Sequence, residues 1–435
     1  MVAAGVFAPG HLGELTRIVS FDLVDAALEA SGAVQSRVRL LPSRVVVYLL
    51  LAGALFTGIG YRQVWARLCA GLPGSPRGCP GSSALSQALR RVGPKPLKAL
   101  FDLVRGPAVG AVRWRGLLVC AIDGTSVFVP DSPDNVAAFG RHGGGHAQAG
   151  YPMLRLLAVV ACGTRTVVDV VFGPLRVAET AYAPRLFGCL RPGMLLLADR
   201  NFAVTALIEQ ITGTGADLLI RAKLNRRVPA IARLGDGSWL TRAGAATVRV
   251  IDAEIAVCCA GGPRRVERYR LITSLADEKR YPAQELVTLY HQRWEIETSY
   301  FELKSTMLGG RVLRARTPAG VCQEVYALLI TYQALRTVIA DTALATGDFS
   351  ADRGSFTVAM HTARDQLIHA AGIINDTTID LIGTIGHAIR TSPLTPRRAR
   401  TSPRIVKRAI SKHRAKGDID RNIYKTQVSI HILPG

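Results

Sequence analysis

Acid is scarce in this sequence. Its 435 residues hold 32 Asp and Glu against 54 Lys and Arg, a formal charge of +22 at pH 7. Such an imbalance sets aside a cationic partner and points to a polyanion, nucleic acid first and an anionic membrane surface second. Metal-finger spacing is missing as well. The eight cysteines (Cys69, Cys79, Cys120, Cys162, Cys189, Cys258, Cys259 and Cys322) form no CxxC, and no His stands at zinc-site distance from them. They read as reduced thiols, mostly in apolar runs, in a cytosolic protein. Long apolar runs are lacking too. The one membrane candidate, Val45–Tyr61, is marginal against the roughly 20 residues a span requires. It continues into Arg62–Leu68 as a helical pattern and reads as a buried helix of a soluble domain. The first residues show no basic stretch followed by an apolar one, so no signal peptide is expected. There is no internal repeat of solenoid length.

What is present is enough apolar sequence, 49%, to fill two or three cores. Residues 1–110 read as a helical domain, with segments at Leu15–Ser31, Pro42–Leu68, Ser82–Arg91 and Lys95–Arg105. Arg90, Arg91, Lys95 and Lys98 crowd one short region, as a DNA-binding module or as the solvated face of an ordinary helical domain. From residue 111 the pattern turns to strands. Gly116–Asp123 is an apolar run ending in a carboxylate, and Thr125–Pro130 a second extended piece. Pro133–Tyr151 is a Gly-rich segment whose His142 and His146 read as part of a loop rather than as metal ligands. Met153–Ala161 and Arg165–Phe172 form a hairpin pattern. Glu179–Leu190 is helical, Met194–Asp199 a buried strand ending in a carboxylate, Asn201–Thr212 a helix and Asp217–Ala222 a strand. A lone carboxylate ending an apolar strand is usually a cap or an ion-pair partner. Two of them, joined by one from a later helix, make a plausible cage for a hard divalent cation.

Residues 223–270 break this alternation and read as a small β insertion containing Trp239, either packed or exposed for stacking on a base. A domain of strands and helices over 111–345 is then followed by a helical segment, 346–390, and a basic, partly disordered tail, 391–435.

The segment around which the rest is organised is Tyr290–Lys304, YHQRWEIETSYFELK. On an α-helix turning about 100° per residue, with Tyr290 at zero, Arg293, Glu297 and Lys304 fall at roughly −60°, −20° and −40°. Glu295 and Glu302 fall off that stripe, at roughly 140° and 120°. On the helix alone these residues read first as ion pairs on a solvated face, worth a few tenths of a kcal/mol. The strand-end aspartates upstream favour a site that holds a metal and a phosphate chain together.

The element order, the strand-end aspartates and the helical Glu resemble the RNase H-like fold of DDE transposases. Tyr290-x2-Arg293-x3-Glu297-x6-Lys304 is similar, spacing included, to the Y-R-E-K signature of the insertion-sequence-4 family of bacterial transposases. IDGTSVFVPDSPDNVAAFG around Asp123 and LLLADRNF around Asp199 resemble that family's first- and second-aspartate regions. Arg37–Leu68 and Ser82–Arg91 resemble the N-terminal domain of an actinobacterial-looking branch. The resemblance covers about residues 10–380.

The resemblance implies an RNase H-like mixed sheet flanked by helices, with the β insertion before the Glu helix and an all-α N-terminal domain. Asp123, Asp199 and Glu297 would be the catalytic acids and the ligands of two Mg2+ ions, with Mn2+ able to substitute. Tyr290, Arg293 and Lys304 would contact DNA, and Trp239 would stack on a flipped base. The implied activity is metal-dependent cleavage of double-stranded DNA at transposon ends and 3′-OH strand transfer into a target. It would take place in a homodimeric synaptic complex in the bacterial cytoplasm, associated with the nucleoid and not with a membrane. The alternatives are an RNase H-like endonuclease or resolvase without strand transfer, and a non-catalytic DNA-binding remnant.

Overall fold

The computed structural model describes residues 11–35, 37, 39, 41–70, 79–141, 150–259, 265–369, 382–394 and 426–434. The chain divides into two compact units, Met1–Cys189 with Glu295–Leu394, and Leu190–Trp294 with Thr395–Gly435. Elements are numbered along the chain.

The first unit opens with five helices: α1 (Phe21–Ala30), α2 (Ser43–Leu55), α3 (Tyr61–Cys69), α4 (Ser82–Val92) and α5 (Lys95–Val104). Ser20 caps α1, its hydroxyl accepting the Leu23 amide. α2 is buried at every position except Arg44. It is thirteen residues long, and no helix among the described residues is long and apolar enough to cross a membrane. The expected single segment Pro42–Leu68 is two helices. Two glycines, Gly58 and Gly60, favour a break in the helix between Phe56 and Tyr61. Within the break Thr57 Oγ1 donates to the Met307 carbonyl (2.6 Å) and Arg314 to Ile59 O (3.1 Å), while Arg314 also donates to Gly53 O inside α2 (2.8 Å).

The strands of this unit follow: β1 (Arg113–Trp114), β2 (Leu117–Phe128), then α6 (Pro133–Phe139), β3 (Met153–Ala161), β4 (Val167–Pro174) and α7 (Glu179–Tyr182). β2, β3 and β4 form an antiparallel meander, with β1 paired to β2. Two expectations are corrected here. Asp123 does not end a strand, because Leu117–Phe128 is continuous and places it mid-strand. Gly124 passes through in extended pairing with Leu157. Pro133–Tyr151 is not all loop. Ser132 caps and Pro133 starts a short helix; His142 and His146 lie outside the described residues.

The second unit contains β5 (Met194–Ala198), α8 (Thr205–Gly213) and β6 (Asp217–Ala222), with β5 and β6 parallel. Next come β7 (Ala232–Arg233), β8 (Trp239–Ala243), β9 (Ala246–Cys259) and β10 (Arg265–Thr273), then α9 (Ala283–Tyr290). The β insertion is therefore present, and it is no appendage: β10 pairs antiparallel with β6, and β9 with β10. α10 (Trp294–Phe301) leads back into the first unit, which is completed by α11 (Pro318–Thr346), α12 (Phe356–His369) and α13 (Gly383–Arg390). β11 (Thr426–Leu433) belongs to the second unit and pairs with β9. The segment expected to be a basic, partly disordered tail thus ends in a strand, and 395–425 lie outside the described residues.

The antiparallel meander and the parallel β5–α8–β6 pair are the parts of an RNase H-like mixed α/β fold, preceded by an all-α region. β5 is buried at all five positions, as a strand covered on both faces must be.

Candidate active site

In the first unit Asp123 and Glu297 lie on elements that touch. Asp123 and Thr125 share one face of β2, since side chains alternate along a strand. Lys304 reaches that face: its ammonium donates to Thr125 Oγ1 at 3.1 Å. Tyr300 reaches the same place, its hydroxyl donating to the Asp123 carbonyl at 2.5 Å and accepting the Ala158 amide at 3.1 Å. Glu297 sits three residues before Tyr300, on the same side of α10. Asp123, Glu297 and Lys304 are all half-buried, and burial holds the Lys304 ammonium below its ordinary pKa. One oxygen of Asp123 accepts the Gly124 amide (2.8 Å). On the opposite face, the Glu179 carboxylate, paired with Arg155 at 2.7 Å, lies where a Cβ on Gly124 would be.

The path from α9 to Met307 is not one α-helix, which corrects the uniform angular reading. His291–Arg293 is a tight 3₁₀ turn, and Glu302–Met307 is a π segment closed by Leu308 N to Leu303 O at 3.0 Å. Segments of that wider kind recur at functional sites. The two acids that the wheel sets aside are the ones that hold the helix. Glu302 accepts from Arg336 and, at 3.0 Å, from Arg165, whose Nε binds Glu295 at 2.6 Å. The Tyr332 hydroxyl lies 3.1 Å from Glu302 Oε2, and Arg165 Nη2 donates to Asp352 O at 2.8 Å. Arg165 and Arg336 are fully buried. Burial alone would raise the Glu302 carboxyl, but Arg336 and Arg165 overcome it and hold the pKa below its ordinary value. Arg165 itself sits at φ +59° in the β3–β4 turn, a backbone state uncommon outside glycine. No sequence spacing joins residues 165, 295, 302 and 336. The available signal was apolar context: Arg336 stands inside the long apolar stretch Ala319–Leu344.

In the second unit Asp199 follows β5 directly and caps the short turn Arg200–Phe202, its Oδ1 accepting the Asn201 amide at 2.8 Å. Tyr290 is buried, and its hydroxyl donates to the Ala198 carbonyl at 3.0 Å, one residue before Asp199. Burial pushes the phenol's pKa up, with Asp199 adding to the shift and Arg293 opposing it. The ring is met edge-on by Tyr269 at 6.5 Å, and Arg221 stacks on Tyr269 at 3.9 Å; neither Tyr269 nor Arg221 stood out in the sequence. Arg293 is half-buried with its guanidinium over the Trp294 ring at 5.2 Å. Trp239 is not an exposed stacking platform. It is 5% exposed, its indole donates to Val228 O at 3.3 Å, and Arg270 lies over its ring. As the first residue of β8, paired with Arg233 and Val250, it is held by its strand on both sides.

Carboxylates are the donor type that a hard divalent cation takes while keeping part of its water shell. Among the described residues no group of three or more His, Cys, Asp or Glu side chains is placed to hold a metal ion.

Residues 9–102 match the family described as insertion element 4 transposase N-terminal, and residues 114–334 match the transposase DDE domain. Over 397 residues the chain is 27% identical to the transposase InsG for insertion sequence element IS4 of Escherichia coli K12, covering 89% of this chain and 90% of that protein. Among solved structures it is similar to a piggyBac transposase in a synaptic complex with hairpin DNA, at 11% identity and a TM-score of 0.48, over 92% of this chain and 87% of that one. With the DDE domain spanning more than half of its length behind an insertion-element-4 N-terminal region, the chain belongs to the DDE transposases of the insertion-sequence-4 family.

Proposed function

We propose that this transposase cuts double-stranded DNA at the ends of its own element and joins the freed 3′-OH groups to target DNA, with Asp123, Asp199 and Glu297 as the acids on which both steps depend. The observation that carries this reading is in the first unit. There the strand bearing Asp123 and the helix bearing Glu297 are locked together by Tyr300 and Lys304, and both carboxylates stay half-buried rather than lost in the core. Asp199 enters through the LLLADRNF motif that carries it.

Asp123, Asp199 and Glu297 would hold two Mg2+ ions, or Mn2+, which when bound would supply Lewis-acid activation of the attacking oxygen and stabilise the leaving one. The chain's own residues do the rest. Arg293 and Lys304 offer cations to the phosphates flanking the scissile bond. Tyr290 is a positioning residue and no nucleophile. Its phenol is buried, kept protonated, and committed to the carbonyl beside Asp199. Residues 1–110 carry part of the DNA contact, and the synaptic complex holds two copies of the chain, one for each transposon end. The reaction takes place in the cytoplasm, on the nucleoid.

Asp123→Asn is expected to abolish cleavage of a terminal-repeat duplex while repeat binding survives. An Asp123→Asn protein that still cuts in Mg2+ sinks the assignment. A strand-transfer assay on pre-cut ends separates transposition from simple endonuclease action, because an endonuclease leaves the 3′-OH unjoined.

A further inference from the structure

The catalytic helix carries a phenol for which no role has been assigned. Tyr300 is 7% exposed. Asp123 and Ala158 are direct partners in the β2–β3 ladder, and the Tyr300 hydroxyl bridges that one pair, donating to the carbonyl of the first (2.5 Å) and accepting from the amide of the second (3.1 Å). One side chain therefore ties the backbone of an acid on the sheet to a helix position three residues from an acid on the helix. Lys304, one turn further on, meets Thr125, two residues beyond Asp123 on the same strand face. Glu179, on the other face, blocks any side chain at position 124.

We propose that Tyr300 is a positioning residue for Asp123, fixing the strand at the one point where the carboxylate must face the Glu297 helix. The inference rests on the reading of Asp123 as a catalytic acid. A buried phenol with a merely structural role would add stability and no more. A phenol that sets the acid would change the way the acid handles a cation.

Tyr300→Phe removes the hydroxyl and keeps the ring. With Mn2+ alone, in the absence of DNA, its affinity for the ion (read by electron paramagnetic resonance) is expected to fall about tenfold, as for other groups that orient a ligand. Cleavage of a terminal-repeat duplex at sub-saturating Mg2+ is expected to slow by a similar factor of about ten, and repeat binding to stay within about twofold. Tyr48→Phe is the control. Its hydroxyl donates to Val19 O at 2.8 Å in the helical region, so it should lower the melting temperature and leave Mn2+ affinity alone. A folded Tyr300→Phe protein with wild-type Mn2+ affinity and cleavage overturns the proposal. If Tyr300→Phe does not fold, 3-fluorotyrosine placed at position 300 keeps both hydrogen bonds. Its single fluorine resonance is expected to shift on Mg2+ addition, and a resonance indifferent to saturating Mg2+ overturns the proposal equally. Cutting by Asp123→Asn is a separate failure, of the catalytic reading itself.

Discussion

Glu302 shows how much one side chain holds in place. It is 6% exposed and bound by two buried guanidiniums. Replacing a buried pair with apolar groups can be neutral, but removing one partner leaves a buried charge uncompensated. Glu302→Gln is therefore expected to lower stability by about 3–5 kcal/mol in urea unfolding at pH 7. The pH dependence has a definite sign. The folded carboxyl titrates below its ordinary value of 4.5, so the stabilisation is fully present above that value and is lost as pH falls through the lower, folded one. Acid unfolding of the parent should steepen in that window, and the Gln variant should lack this component. A parent and variant with parallel stability curves between pH 5 and pH 3 would contradict the assignment. Gly124 is a second sensitive residue. A Cβ there would lie 2.3 Å from Glu179 Oε1 and 2.6 Å from Cδ, and Arg155 pins that carboxylate. Gly124→Ala should cost about 1–3 kcal/mol as an overpacking change, and Glu179→Ala in the same chain should recover most of it. A melting temperature for Gly124→Ala equal to the parent's would show that Glu179 moves aside freely.

At the scale of elements, the β insertion is bound to the start of the α9 helix by one arginine. Arg249, on β9, is fully buried and pairs with Asp236. It donates to Ser238 Oγ (2.8 Å) and to Tyr281 O (2.6 Å). Asp236 in turn accepts the Ala283 amide, the first of α9, at 3.2 Å. Arg249→Met keeps the bulk and removes the donors. It is expected to destabilise the second unit by about 3–5 kcal/mol, since Asp236 loses its partner. Limited proteolysis near 228–240 should report the loss, and an unchanged digestion pattern would show the connection to be dispensable. The insertion pattern was legible in the sequence because alternating segments and glycine-rich turns are local features. The irregularities between residues 290 and 307 were not. A 3₁₀ turn and a π segment differ from an α-helix in hydrogen-bond register, and residue spacing carries no mark of that register.

The whole molecule is a polycation, with formal charge +22. Its affinity for DNA should fall steeply with salt: for 6–10 phosphate contacts the loss between 50 and 200 mM is about 10³- to 10⁵-fold. Arg293→Ala and Lys304→Ala should each flatten the slope of log K against log salt by about one contact. Slopes identical to the parent's would remove both from the phosphate interface. Chelation of divalent ions should stop cleavage and leave this binding in place.

The sequence by itself determined the fold class and the family, because both are written in local pattern: apolar runs, turn signals, and four polar residues at set spacing. It also read Val45–Tyr61 as part of a buried helix rather than a span, whereas the break between Phe56 and Tyr61 came only with the structure. Only tertiary structure decided that Asp123 sits within a strand, that Trp239 is packed, and that Glu295 and Glu302 serve as anchors. It alone brought Tyr300 to the Asp123 carbonyl. The anchoring of Glu302 and the placing of Tyr300 depend on partners more than a hundred residues away, Arg165 and Asp123. A side chain's burial and hydrogen bonding follow from what folds against it, and one stretch of sequence does not contain that.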